Sequence, residues 1–177
     1  IGAKQDWAFF IDFVKACQEI STVHIYLIGE GAKRDEVVER IKNFSNCTYF
    51  PPVRYEELND LLCNADLHIL FQKSTVVDTV MPSKILGMMA SAKPSIVTGH
   101  EESEVKHNFE VSNGGFYYYE ENKLEKIIEK IKNLIEFPQE SKETGENARE
   151  FIIEKFSMEK ILSIFKGNIK KIDNKIE

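Results

Sequence analysis

The sequence predicts an α/β fold, a doubly wound and largely parallel sheet of the Rossmann-like kind, on two observations. Short apolar runs alternate with helical patterns through most of the 177 residues. One run, Leu67-His68-Ile69-Leu70-Phe71, reads as a continuous apolar strand of the sort that parallel sheets bury on both faces.

In chain order, Ile1-Gly2-Ala3-Lys4-Gln5 is a loop that opens a helix, since the apolar positions of Asp6 to Val14 recur at helical spacing. An alternating α/β domain places a strand before such a helix, so a strand is expected ahead of Ile1. Val23 to Ile28 is a strand, Gly29-Glu30-Gly31 a tight turn, and Arg34 to Phe44 a helix. Thr48-Tyr49-Phe50 is a short strand stopped by Pro51-Pro52, because proline cannot continue a ladder. Glu56 to Asn64 is a helix, Gln72 to Val80 a polar loop, Ile85 to Ser91 a helix and Pro94 to Val97 a strand. Gly114-Gly115 precedes the strand Phe116 to Tyr119, expected in the core, and Leu124 to Phe137 is an amphipathic helix ended by Pro138. Ser141 to Glu177 is one broken helical segment, with Phe151, Ile152, Phe156, Ile161, Leu162 and Phe165 on its apolar face and Ser157 capping its second half. The expected division is a nucleotide-binding domain over residues 1–140, with helices over 141–177 packed on it or reaching toward another domain.

Composition narrows the function. Lys and Arg total 23 against 29 Asp and Glu, a net charge of −6, which argues against gripping nucleic acid by bulk charge. Cys17, Cys47 and Cys63 are odd in number, widely spaced and set in apolar surroundings, as reduced core thiols are. No apolar run reaches the roughly 18 residues of a membrane span. There is no HExxH, paired CxxC or GxSxG pattern, so neither a dedicated metal site nor a nucleophilic triad is expected.

Ligands of doubly wound sheets bind beyond the carboxyl ends of the strands, which directs attention to the loops after Ile28, Phe50, Phe71 and Val97. Met81-Pro82-Ser83-Lys84-Ile85 opens a helix whose N–H groups and partial positive charge favour an anion, with Ser83 as a donor and Lys84 as a point charge. Capping by Ser83 and solvation of Lys84 is the competing reading. Gly29 and Gly31 allow close backbone approach to a ligand and equally suit a plain turn, and Lys33 and Arg34 add charge nearby. Pro51-Pro52-Val53-Arg54-Tyr55 offers a rigid loop for a nucleobase, or a stiff connector. His100-Glu101-Glu102-Ser103-Glu104 sets an imidazole beside carboxylates, for acid–base work or as an exposed charged loop.

Three features in this order and spacing resemble the donor-binding C-terminal domain of GT-B-type glycosyltransferases of the large retaining family four. They are the Leu-Ile-Gly-Glu-Gly turn at 27–31, the segment from Phe50 through Leu58 to Asp66, and Met81 to Pro94. The Met-Pro-Ser-Lys form and the opening Ile-Gly-Ala-Lys-Gln are most similar to the branch that builds bacterial surface polysaccharides, including fucosaminyl and colanic-acid-type transferases.

The resemblance implies an enzyme of the cytoplasm, free or peripheral at the inner face of the membrane, that transfers a sugar from a UDP-linked donor to a glycan or lipid-linked acceptor without a metal. It places Met81, Pro82, Ser83, Lys84 and Ile85 on the donor diphosphate, Lys4 and Gln5 in the first loop near the same phosphates, and Val53 and Arg54 beside the base. Gly29, Glu30, Gly31 and Lys33 would border the nucleotide. Asn113-Gly114-Gly115 fits the family's glycine before its last strand, and Asn147 to Phe165 its terminal helices. Two glutamates common in the family fall on Thr79 and Gly87, neither of which can replace a carboxylate. The acceptor-binding N-terminal domain lies outside the sequence, so this chain alone is expected to be inactive and no catalytic residue is assigned. A nucleotide-sugar 2-epimerase domain and a non-catalytic α/β binding domain are the alternatives.

Overall fold

The computed structural model describes residues 1–77, 81–163 and 165. Helix α1 (Trp7–Ala16) is followed by β1 (Ile25–Ile28), α2 (Arg34–Ile41), β2 (Cys47–Phe50), α3 (Leu58–Asn64) and β3 (His68–Phe71). Then come α4 (Ser83–Ala90), β4 (Ser95–Thr98), α5 (Glu104–Ser112), β5 (Phe116–Tyr118), α6 (Lys123–Glu136) and α7 (Pro138–Phe156).

Every strand pairing is parallel, in two sheets: β1 with β2, and β3-β4-β5. The registers Ile28↔Phe50 and Phe71↔Thr98 show strands that end level, so the loops leaving each sheet emerge along one edge. Each strand's side chains alternate between two covers. Ile96 points into a core shared with Phe10, Phe13 and Val14 of α1, Val37 and Ile41 of α2, and Ile127 and Ile131 of α6. Val97 points the other way, into a core of Ile85, Met88 and Met89 of α4, Val105 and Phe109 of α5, and Ala148 of α7. Helices on both faces of a parallel sheet are the doubly wound arrangement that the alternation predicts.

Local chemistry sets the helix ends. The Asp6 carboxylate accepts the Phe9 N–H at 3.1 Å to start α1, and the Ser103 hydroxyl accepts the Val105 N–H at 3.2 Å to start α5. The pattern missed α5, whose polar residues leave only Val105, Asn108 and Phe109 buried. Pro138 does not merely stop α6, which ends at Glu136; it opens α7 from the first-turn position where its missing N–H costs nothing. α7 therefore starts ahead of the expected boundary at Ser141 and packs on α4, with Gly145 so near Ala92 that an added Cβ would lie 2.2 Å from its carbonyl oxygen. Ser157 does cap the turn beyond α7, its hydroxyl accepting the Lys160 N–H at 3.4 Å. Ile161, Leu162 and Phe165 there are exposed, and the rest of that segment lies outside the described residues.

Two of the three cysteines are core thiols, and burial pushes Cys17 up to about 12 and Cys47 up to about 11. Cys63 departs from expectation: it is only half-buried on α3, because no residue of that helix is fully covered.

His68 is the polar interruption in β3. Its Nε2 lies 3.0 Å from the Ser91 hydroxyl, which itself donates to the Met88 carbonyl at 2.6 Å. Burial first, and Lys93 to a lesser degree, hold the imidazole below its usual 6.5, against the opposing pull of a bond to the Leu62 backbone. A depressed folded-state pKa means the fold favours the neutral ring, so its contribution is complete above pH 6.5 and is lost as pH falls through the folded value. Urea unfolding from pH 7.5 down to 5 is expected to show a falling midpoint in the wild type and a flatter profile in His68→Gln.

Candidate functional site

The carboxyl edge gathers the loops that the sequence singles out. Residues 1–6 cross it: the Ile1 amino group donates to the Glu30 carbonyl, the Lys33 N–H to the Ile1 carbonyl at 3.2 Å, and the Asp6 N–H to the Phe71 carbonyl at 2.9 Å. Lys4 lends its carbonyl to the Lys73 N–H at 3.0 Å, and Gln5 pairs with Gln72 in an isolated bridge while its Oε1 accepts the Gly2 N–H at 2.8 Å. Both first-loop residues thus sit at the edge, Lys4 exposed and Gln5 half-buried.

The turn after β1 needs its glycines. Gly29 and Gly31 have φ of +133° and +149°, a region that side chains rarely adopt. At Gly31 the space is also taken, because a Cβ would stand 2.3 Å from the Ile1 carbonyl oxygen. Gly29 instead faces open space, with nothing within 4 Å of a Cβ. Glu30 between them accepts from Arg34 at 2.9 Å and from the Tyr49 hydroxyl at 3.4 Å.

α4 starts differently from its neighbours. Its N-cap is Pro82, which offers no side-chain cap, and the Pro82 carbonyl accepts the Ile85 N–H at 2.9 Å. Ser83 occupies the first helical position instead of the cap, which removes the capping reading, and both Ser83 and Lys84 are exposed. Ile85 is fully buried and anchors the turn, with Met81 packed against the same core. The first N–H groups of α4 thus meet solvent at the positive end of the helix, and the Lys84 ammonium stands beside them.

The charge of Lys84 acts on the Ile1 amino group, which donates to the Glu30 carbonyl. The Ile1 amino group is held below its usual range by burial first and by Lys84 second, with Glu30 acting in the opposite sense.

The other cations are engaged locally. Lys33 pairs with Glu36 at 2.7 Å, Arg34 with Asp35 at 2.6 Å and with Glu30, and these contacts hold Glu36 low and Arg34 high. Arg54, 79% exposed, is held by Glu57, whose Oε2 also accepts the Arg54 backbone N–H at 3.3 Å. Val53 beside it is half-buried, at the same edge beyond β2. Among the described ion pairs none involves Lys84 or Lys73, and of these two exposed cations Lys84 is the one in the first turn of α4.

Among the described contacts of the loop after β4, the imidazole meets a backbone N–H and not a carboxylate. The His100 Nδ1 accepts the Glu102 backbone N–H at 3.1 Å, and its carbonyl accepts the Tyr117 hydroxyl at 2.9 Å. Gly99 makes that contact possible, since a Cβ there would lie 2.5 Å from the same hydroxyl; a glycine directly after a strand was the signal that sequence reading passed over. Gly87 lies in the second turn of α4 with ordinary room around it, and Thr79 falls outside the described residues. Among the described residues no three His, Cys, Asp or Glu side chains converge as a metal would require, and no helix is long and apolar enough to cross a membrane.

Residues 3–136 match the family model for Glycosyl transferases group 1. The colanic acid biosynthesis glycosyl transferase WcaI, as it is named in Escherichia coli K12, is 25% identical over 142 residues, 80% of this chain and 34% of its own. Anabaena HepE, solved with UDP-glucose, superposes with a TM-score of 0.74 at 16% identity, over 98% of this chain and 46% of its own. S. aureus TarM, solved with UDP and glycan ligands, gives 0.75 at 19% identity, over 93% and 32%. These likenesses establish a GT-B fold, and the chain spans about a third of the curated relative it matches.

The two glycines are expected to separate on substitution. Gly31→Ala combines backbone strain with a clash and should cost about 1–3 kcal/mol in urea unfolding. Gly29→Ala, strained but unobstructed, should cost less, and an equal loss would contradict the geometry.

Proposed function

The chain belongs to the group 1 glycosyl transferases, and on that premise we propose that it is the donor-binding half of an enzyme that transfers a sugar from a nucleoside diphosphate. The observation that carries this reading is the uncapped start of α4, with Ser83 and Lys84 exposed at the edge where all the strands end. A diphosphate placed there accepts the first helix N–H groups and the Ser83 hydroxyl, and the Lys84 ammonium balances its charge. The open space at Gly29 lies along the same edge and suits the nucleoside, with Val53 and Arg54 beyond it on the base side.

Transfer breaks the bond between the anomeric carbon and the diphosphate oxygen, and negative charge grows on the departing phosphate. The helix dipole and Lys84 stabilise that charge where it forms, and no metal has a part in this scheme. The acceptor and the residues that activate it belong to a second domain, so this chain binds donor without turning it over.

The finer assignment is also proposed. The Met-Pro-Ser-Lys motif and the likeness to WcaI support the retaining family-four branch that builds surface polysaccharides, with a UDP-linked donor and a glycan or lipid-linked acceptor. A cytoplasmic site, peripheral to the membrane, suits that chemistry.

Titration of the chain with UDP, GDP, ADP and inorganic phosphate, by calorimetry, tests the reading. UDP is expected to bind best. Lys84→Ala should weaken it about tenfold or more, the value of one charge-assisted contact. Unchanged UDP affinity in that variant removes the assignment.

A further inference from the structure

β1 and β2 share in only one of the two covers. Their Ile25, Leu27, Cys47 and Tyr49 side chains enter the core with α1 and α2. The opposite face carries His24 just ahead of β1, Tyr26 and Ile28 of β1, and Thr48 and Phe50 of β2, and none of these joins either core. Helix α3, which follows β2, has no buried residue, and Tyr26 stays 61% and Phe50 45% exposed.

Aromatic rings form a stepped row across this face. His24 and Tyr26 have centroids 4.8 Å apart and planes tilted by 45°, and Tyr26 and Phe50 are 6.0 Å apart at 37°. The His24 Nε2 lies 2.8 Å from the Thr48 hydroxyl, which ties the start of the row to the neighbouring strand. In the register Tyr26↔Thr48 and Ile28↔Phe50, the row runs diagonally from the amino end of β1 to Phe50 at the carboxyl edge. Pro51, Pro52, Val53 and Arg54 continue from there.

The composition and size of the face select its occupant. It holds no carboxylate, lysine or arginine in a chain that is 29% charged, so an ionic partner finds no counter-charge on it. Four-residue strands, rising about 3.3 Å per residue and set about 4.8 Å apart, give it an area on the order of 150 Å², far below the roughly 800 Å² per partner of a stable protein interface. A saccharide fits this size. A pyranose has an apolar face of C–H groups that packs on an aromatic ring, and hydroxyls around its rim that seek polar partners. The Tyr26 hydroxyl, with no hydrogen bond among the described residues, and the Thr48 hydroxyl paired beside it are placed to meet that rim.

We propose that this row is a binding strip for a neutral glycan, whose successive sugars stack on His24, Tyr26 and Phe50. Its Phe50 end opens on the edge where the donor is placed, so the strip holds the acceptor or growing glycan close to the enzyme between transfers. That use rests on the reading of the chain as a donor-binding domain, whereas the strip itself does not.

Binding of maltohexaose, cellohexaose and chitohexaose is measured by NMR and calorimetry, with UDP titrated alongside. At least one hexaose is expected to bind and to shift the ring resonances of Tyr26 and Phe50. Its affinity should fall about fivefold or more in Tyr26→Ala and in Phe50→Ala, and stay within about threefold in Tyr26→Phe, which keeps the ring. UDP affinity should be the same in all three variants. No binding of any hexaose, or binding that Tyr26→Ala and Phe50→Ala leave unchanged, overturns the proposal. A dimer that these substitutions dissociate, seen by sedimentation, overturns it too, since the face then belongs to a second copy of the chain. Hexaose binding in a chain that takes no UDP upholds the strip and strikes the donor-domain reading alone.

Discussion

Two sheets without a shared hydrogen bond stay in one body because α1 lies against both. On one side, Phe9 and Phe13 meet the Phe71 ring edge to face, with centroids 4.9 and 5.0 Å apart. On the other, the Val14 carbonyl accepts the Asn46 side-chain N–H at 2.9 Å, just ahead of β2, and α1 shares a core with Val37 and Ile41 of α2. Phe13 and Val14 are almost wholly buried, and side chains of that kind contribute about 1.5–3 kcal/mol each. The level strand ends, and with them the common edge for the loops, depend on this helix holding its place.

Much of the frame could be read from the sequence because it rests on apolar runs and on residues with strong backbone preferences. Ile25 to Ile28, His68 to Phe71 and Ser95 to Thr98 are strands within a residue or two of their expected bounds, and Gly29 and Gly31 turn where expected. α5 escaped because Glu104, Lys106, His107, Glu110 and Ser112 outnumber the three residues it buries, and its place is decided by packing on Val97 and α7. Pro138 misled for another reason: proline ends one helix and starts the next equally well, and only the bend at Phe137 distinguishes the two.

The site was legible in its backbone and less so in its charges. Pro82-Ser83-Lys84 announces a helix start with open N–H groups, and the structure keeps it uncapped. Which cations remain for a ligand was hidden, because pairing depends on rotamers and on neighbours one turn away. Arg54 finds Glu57, Lys33 finds Glu36 and Arg34 finds Glu30 and Asp35, all on exposed ground where each pair contributes little to stability. Their effect is to quiet the surrounding field and leave the positive end of α4 as its main local feature.

The far end of that helix matters as well. The Arg149 guanidinium donates to the Ala90 carbonyl at 2.6 Å, and Gly145 lets α7 press against Ala92 immediately beyond. A cation at the carboxyl terminus neutralises the negative pole of α4, so an anion approaching the opposite pole feels less of its repulsion. The same contact pins α4 lengthwise. α7 thus acts as a backstop, keeping the phosphate-facing end of α4 from recoiling when charge arrives there.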